Sequence, residues 1–313
     1  MNTRILAQLY RNSFCFAVSL SVCCSSLAQT NSLSSLRERF QEISQVAQGR
    51  VGIAVELLET HQHAELNVHE RFPMQSVYKL PIGMTVLHQV DLGLLTLDQM
   101  VRVETNDLVP PQVHSPIRDE HPEGAQMSVQ ALMRAMIVGS DGTASDVLLR
   151  LIGGPNPVQD YLRELRVTNV VVATTEKAMG QDDLVQYRNW ATPEGMRTLL
   201  ESLDAGRGLS TSSRSLLLQL LTETSTGAGR IKGLLPTGTV VAHKTGSSRT
   251  VAGLTRATND AGLITLPNGQ HLAVVVFVSD STADDVMREE VIAKAARAAW
   301  DIWATTVGTT NRM

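Results

Sequence analysis

Val240-Val241-Ala242-His243-Lys244-Thr245-Gly246 reads as an apolar strand that runs into a lysine, a hydroxyl and a glycine. Further strand signals follow at Ala261–Leu266 and Leu272–Ser279, and two more stand far upstream at Val51–Leu58 and Ala64–Val68. The upstream pair, joined by the polar segment Thr60–His63, reads as a hairpin. His61 and His63 lie in that turn, and with no third ligand nearby they read as solvated side chains. From Ser76 to about Leu221 the pattern turns helical, with starts near Ser76, Ser128, Thr143, Asn156, Thr192 and Ser210, several on hydroxyl or amide caps. Leu33, Leu36, Phe40, Ile43 and Val46 mark a first amphipathic helix. A last one runs from about Thr282 to Trp303, with Val286, Ile292, Ala296, Trp300 and Trp303 as its apolar face. Val170–Trp190 has little periodicity and is expected to be a functional loop. Strands at both ends enclosing a helical middle predict an α/β protein: a discontinuous α/β lobe (29–75 and 222–313) against an all-helical lobe (76–221). The junction of two lobes is a normal place for a small-molecule pocket.

Net charge is -4 with both signs interspersed, which argues against a nucleic-acid surface. Arg4 and Arg11 precede the apolar run Phe14–Val22, and Ser26-Leu27-Ala28 offers the small residues a signal peptidase reads. Residues 1–28 are therefore expected to be a signal peptide that directs secretion to the periplasm. The apolar run is too short to span a hydrocarbon core of roughly 30 Å. A lipid anchor through Cys23 is disfavoured by the bulky Val22 before it. Cys15, Cys23 and Cys24 all fall in this segment, so residues 29–313 should fold as one domain without disulfides.

Three short motifs carry the chemistry. Ser76-Val77-Tyr78-Lys79 follows a segment that Pro73 keeps from being helical, which puts the Ser76 hydroxyl near a helix N-terminus, where developing negative charge is favoured. Lys79 lies on the same face, and shielded from water it can act as a base toward Ser76. Alone, Ser-x-x-Lys is weak, since composition yields about one chance match in a chain of this length. Lys244-Thr245-Gly246 is rarer; it presents a cation at a strand end, and Gly246 is expected to let a ligand approach the backbone. The N–H groups of Ser76 and Ser247 are the expected oxyanion pair. Ser140-Asp141-Gly142 lies between two helices, where a loop serine can relay a proton to a leaving nitrogen.

In this order the motifs resemble those of the class A serine β-lactamases, and most of all the PER/VEB extended-spectrum branch. The resemblance spans nearly all of residues 29–313. It includes Gln75, Asp146, Thr175-Glu176-Lys177-Ala178-Met179, Gln186-Tyr187-Arg188-Asn189-Trp190 and Val241-Ala242-His243. It implies an antiparallel sheet flanked by helices, a helical second lobe, and hydrolysis of penicillins and cephalosporins without metal or organic cofactor. The protein is expected to act as a monomer on a small-molecule β-lactam, with no nucleic-acid partner and no stable membrane association. Ser76 would attack the lactam carbonyl, with Lys79 or Glu176 (through water) taking its proton. Ser140 would protonate the leaving nitrogen, Lys244 would support it electrostatically, and Glu176 would activate the deacylating water. Arg230, Thr245 and Ser247 match the recognition of a substrate carboxylate, with Gln75, Gly142 and Gly246 also at the substrate. His114 falls where the family places a ring at the pocket mouth, although a polar loop residue is an equal reading there.

Several positions depart from the common family pattern. Gly142, Asp146 and Gly180 replace frequent amides, and Thr174 with Asn189 replaces an arginine–aspartate brace of the loop. The departures in the loop and at position 146 are shared in kind with the PER/VEB branch, whose loop folds differently and whose pocket is wide, so the resemblance implies oxyimino-cephalosporins among the substrates. A D-alanyl-D-alanine carboxypeptidase is the alternative enzyme, and a non-catalytic peptidoglycan-binding relative is the alternative outside catalysis. Glu176 separates the leading reading from the carboxypeptidase, which lacks that loop carboxylate.

Overall fold

The structure, a computed structural model, describes residues 32–304. The expected signal peptide lies outside the described residues. A helix over residues 32–45 (α1) leads into β1 (Arg50–Leu57) and β2 (Gln62–Leu66). A short β3 (Phe72–Pro73) and a 3-10 turn (Gln75–Tyr78) run into α2 (Lys79–Asp91). The helical middle contains β4 (Met100–Val103), α3 (Pro116–Glu120), β5 (Ala125–Ser128), α4 (Val129–Val138), α5 (Gly142–Leu151) and α6 (Pro155–Glu164). Then come β6 (Val170–Val171), α7 (Glu176–Gln181), β7 (Trp190–Ala191), α8 (Pro193–Asp204) and α9 (Thr211–Thr222). The chain returns through β8 (Val241–Ser247), β9 (Thr250–Val251), β10 (Leu254–Thr255), β11 (Thr258–Thr265), β12 (His271–Ser279) and α10 (Asp285–Ala304).

The main sheet has the order β2-β1-β12-β11-β8 and is antiparallel throughout. Its central strand, β12, is buried on both faces, so it reads as a continuous apolar run rather than an alternation. The two-residue period still sorts the side chains. Val274, Val276 and Val278 join Ile53, Val55 and Ile264 in a core closed by Leu36 and Phe40 of α1 and Trp300 of α10. Ala273, Val275 and Phe277 face the other way, into the larger core that continues through the helical middle. Small residues on that face (Ala54, Ala242, Ala261) let the helices come close to the sheet. β8 is one of the two edge strands, and its open side meets the turn that carries Ser76.

Local starts follow the caps. Ser128, Thr192 and Ser210 each accept an N–H from the first turn of the helix they open. For α5 the cap is Asp141 rather than Thr143. Three expectations fail for physical reasons. α1 ends at residue 45, so Val46 falls beyond its apolar face and is exposed. α10 begins at Asp285, and Val286 in its first turn points to solvent, 74% exposed. The interval Val170–Trp190 also contains a short helix, α7, together with β6 and β7.

That helix is fixed by side chain-to-backbone bonds and not by an apolar stripe. Asp146, from α5, accepts the N–H groups of Glu176 and Lys177 at 2.8 Å each, and Thr175 Oγ1 accepts that of Ala178 at 3.2 Å. Three of the first-turn donors of α7 are thereby satisfied. Asn189 closes the other end of the segment: its Oδ1 accepts from Ala173 N (2.7 Å) and Thr174 N (3.0 Å), and its Nδ2 donates to Thr174 O (3.0 Å).

Two predictions follow from this packing. Phe277 is fully buried against Phe72, so Phe277→Ala should lower the unfolding free energy by about 3–5 kcal/mol in urea denaturation. The second concerns Asp146, which burial, and then the Glu176 carboxylate, push up to about 7 against the pull of its two N–H bonds. Since the native group holds its proton to a higher pH than the unfolded one, its contribution is complete below the ordinary carboxylate range and is lost as pH rises through about 7. Asp146→Asn should flatten the fall in urea stability between about pH 4 and about pH 7, and an equal fall in both proteins would assign it to other groups.

Candidate active site

Ser76 sits inside the 3-10 turn, one step upstream of α2, rather than at the α-helix cap itself. Side chains three apart eclipse in a 3-10 turn, which carries Lys79 Nζ to 3.0 Å from Ser76 Oγ. Gln75, just before, is held at φ 46°, a conformation uncommon for a residue with a side chain. The turn is anchored from β11, where Asn259 Nδ2 donates to Pro73 O (2.8 Å) and Met74 O (3.1 Å).

Gly246 explains how β8 reaches this turn. A Cβ there would stand 2.4 Å from Met74 O and 3.1 Å from the Ser76 nitrogen. The close approach that requires glycine is therefore that of the protein's own nucleophile turn, not that of a ligand as the sequence suggested. The same approach aligns the end of β8, with Ser247, beside the Ser76 backbone.

Lys79 and Lys244 are buried and converge on Ser140. Lys79 Nζ donates to Ser140 O (2.7 Å) and lies 3.4 Å from Ser140 Oγ, which also accepts from Lys244 Nζ at 3.0 Å. Ser140 adopts a left-handed φ of 58° in the α4–α5 connection, and that conformation turns both its carbonyl and its hydroxyl toward the lysines. Glu176, at the start of α7 and 5% exposed, completes the group. Its Oε1 is 2.8 Å from Lys79 Nζ and 3.4 Å from Ser76 Oγ. Burial, and then the repulsion of Lys79, hold Lys244 well below the ordinary lysine range, while Asp260 and Glu176 oppose that shift.

These residues open onto a cleft of about 350 Å³, a volume suited to a small molecule. Arg230, Thr245, Ser247, Gln75 and His114 line it, and His114 Nε2 is 3.0 Å from Gly139 O. Arg230 Nη2 donates to Ser247 Oγ at 2.6 Å. Gly142 departs from expectation. It does not line the cleft: its N–H is taken by His114 O at 2.9 Å, and a Cβ would meet Val113 Cγ1 at 2.7 Å. Gly180 has no space for a side chain either, with Val113 and Pro110 within 2.8 Å of a Cβ.

Some lining residues carry no motif. Thr226 shares a 2.5 Å hydroxyl contact with Thr245, and Gln186, almost fully buried, accepts from Gln75 Nε2 at 2.7 Å. Gln186 was legible only as part of the resemblance. Thr226 and Arg249 sit in turn-rich stretches where neither period nor spacing singles out a residue.

A nucleophile within hydrogen-bond reach of an amine and a carboxylate, with a second hydroxyl held by two lysines, is an arrangement for acyl transfer. The comparisons agree. The model of the Beta-lactamase enzyme family matches residues 35–303. The extended-spectrum β-lactamase PER-1 of Pseudomonas aeruginosa is 41% identical over 267 residues, covering 85% of this chain and 86% of that protein. β-Lactamase VEB-1 of Pseudomonas aeruginosa is 36% identical over 278 residues, covering 88% and 92%. The crystal structure of a β-lactamase from Chitinophaga pinensis superposes with a TM-score of 0.83 at 42% identity, covering 85% of this chain and 98% of that one. The chain thus belongs to the Beta-lactamase enzyme family and is a class A β-lactamase.

Proposed function

We propose that this β-lactamase works through a Ser76 acyl-enzyme that Glu176 releases with water. The observation that carries the reading is the single carboxylate oxygen of Glu176, which contacts both Lys79 Nζ and Ser76 Oγ. Ser76 Oγ attacks the lactam carbonyl as its proton passes to the Lys79–Glu176 pair. An ammonium has no lone pair, so Lys79 serves as the base only after handing a proton to Glu176 across 2.8 Å. The oxyanion is received by the N–H groups of Ser76 and Ser247, each such donor supplying about 3 kcal/mol of transition-state stabilisation. As the C–N bond breaks, Ser140 gives its proton to the ring nitrogen and takes one from Lys79, whose Nζ is 3.4 Å from its oxygen, with Lys244 Nζ at 3.0 Å stabilising the charge meanwhile. Glu176 then draws a proton from a water that attacks the ester, and as the ester C–O bond breaks Lys79, 3.0 Å away, returns a proton to Ser76 Oγ and recovers one from Glu176.

Arg230, Thr245 and Ser247 receive the substrate carboxylate, a role suited to a guanidinium. The cleft of about 350 Å³ supports bulky oxyimino-cephalosporins among the substrates, beside penicillins and simpler cephalosporins. That PER-1 is an extended-spectrum enzyme points the same way. The carboxypeptidase alternative is disfavoured by the burial of Glu176 beside the nucleophile. We read residues 29–313 as one catalytic domain, monomeric and released into the periplasm after removal of 1–28. No helix among the described residues is long and apolar enough to cross a membrane.

Ser76→Ala should reduce turnover of a chromogenic cephalosporin by at least about a thousandfold, while chelator leaves the parent enzyme unaffected. Parent-like turnover in that variant would remove Ser76 from its role. Glu176→Ala should acylate and then stall, so that intact-mass spectrometry finds the substrate's mass retained on Ser76 after minutes. A variant that clears the adduct at the parent rate would place the deacylating base elsewhere.

A further inference from the structure

Arg230 is almost fully engaged before any substrate arrives. It is 7% exposed; Nη1 donates to Asn259 O (2.9 Å) and Gly246 O (3.3 Å), and Nη2 donates to Ser247 Oγ (2.6 Å). Its Nε faces Glu289 Oε1 of α10 at 3.0 Å. A guanidinium has five N–H donors, and these contacts use four of them. One hydrogen on Nη2 remains for a ligand, so a two-pronged grip on a carboxylate requires displacing a protein acceptor. Glu289 is the charged one among those acceptors.

The rest of the site is shaped around this ion pair. A Cβ on residue 229 would lie 2.7 Å from Glu289 Oε2, so Gly229 leaves the carboxylate its place. Arg288, the neighbour in sequence, is buried and directed to Thr258, Ala283 and Asp285, away from offsetting the Glu289 charge. Glu289 is partly exposed and contacts the substrate-facing cation from behind.

We propose that Glu289 is a specificity-determining residue: an internal carboxylate that competes for the Arg230 guanidinium and limits how tightly carboxylate-bearing β-lactams are held. This rests on Arg230 being the reader of that carboxylate. Glu289 acts through Arg230 and touches no reacting atom, so its effect falls on KM and not on kcat. The two carbonyls and Ser247 keep the guanidinium in place when the charge at 289 is removed, and glutamine can still accept from Nε–H.

The test compares the parent, Glu289→Gln, Arg230→Ala and the double variant on a cephalosporin with a free carboxylate and on its methyl ester. Glu289→Gln should lower KM for the free acid roughly three- to tenfold while kcat holds, and should leave the ester's KM where it was. Arg230→Ala should raise KM for the free acid, and adding Glu289→Gln to it should change nothing further. Should Arg230→Ala raise KM while Glu289→Gln leaves it unchanged or raises it, Glu289 is not a competitor, and the reading of Arg230 stands. Should Arg230→Ala leave KM unchanged, the carboxylate is read elsewhere and both assignments fall. Equal thermal midpoints for the parent and Glu289→Gln would exclude a folding origin for any change.

Discussion

The Lys79–Glu176 ion pair lies in the interior between the two hydroxyls of the site, and much of the surrounding structure serves to make it tolerable. A buried ion pair is costly to desolvate and is retained only where further hydrogen bonds satisfy both charges. Lys79 has Ser76 Oγ, Ser140 O and Ser140 Oγ besides the carboxylate. Glu176 has Ser76 Oγ on the same oxygen that meets the ammonium. The partners that make the pair bearable are thus the two hydroxyls that catalysis needs. Removing either ion leaves an uncompensated charge beside a nucleophile, so stability and chemistry cannot be altered separately at this point.

Holding those partners requires unusual backbone. Gln75 and Ser140 both have positive φ, and each stands immediately beside or within the reactive group. Such conformations persist where neighbouring structure over-determines them. For Gln75 the constraint comes from Asn259 on the preceding carbonyls, from Gln186 on its own amide, and from β8 pressing against the turn at Gly246. For Ser140 it comes from Asp141, which caps α5 and accepts from Ser115 and from the N–H of Ile117. The sheet and the helices therefore fix the geometry from opposite sides, which is why the site needs both.

What could be read from the chain divides along the same physical line. Periodic burial wrote the sheet and the long helices into the sequence, since the continuous apolar run of β12 follows from burial on both faces and the spacing in α1 from packing on one. Ser76, Lys79, Ser140 and Lys244 were legible because they stand in three short motifs whose order along the chain is specific. The role of Gly246 was misread because a glycine shows that something comes close without showing what. Val286 looked like part of an apolar face because spacing does not reveal where a helix begins. Glu289 carries no signal at all, since its partner is 59 residues away and one glutamate on an exposed helix resembles any other.

The segment around Glu176 shows why the two polar departures from the common family pattern make physical sense together. The first turn of α7 offers N–H donors and no acceptors. A carboxylate at position 146 accepts two of them at once, where an amide would turn its own NH2 against one. At position 189 the demand is mixed, because the backbone presents two N–H groups and the Thr174 carbonyl. An amide supplies both kinds of partner there, and a carboxylate could not donate. The cost of this assignment is a second, buried acid near Glu176: burial first, and then the Glu176 charge, push Asp146 upward. That cost is partly offset by the positive end of α7, toward which the Asp146 carboxylate is directed. The loop is consequently held by matched donors and acceptors at its two ends, and Glu176 is positioned between them without any apolar stripe of its own.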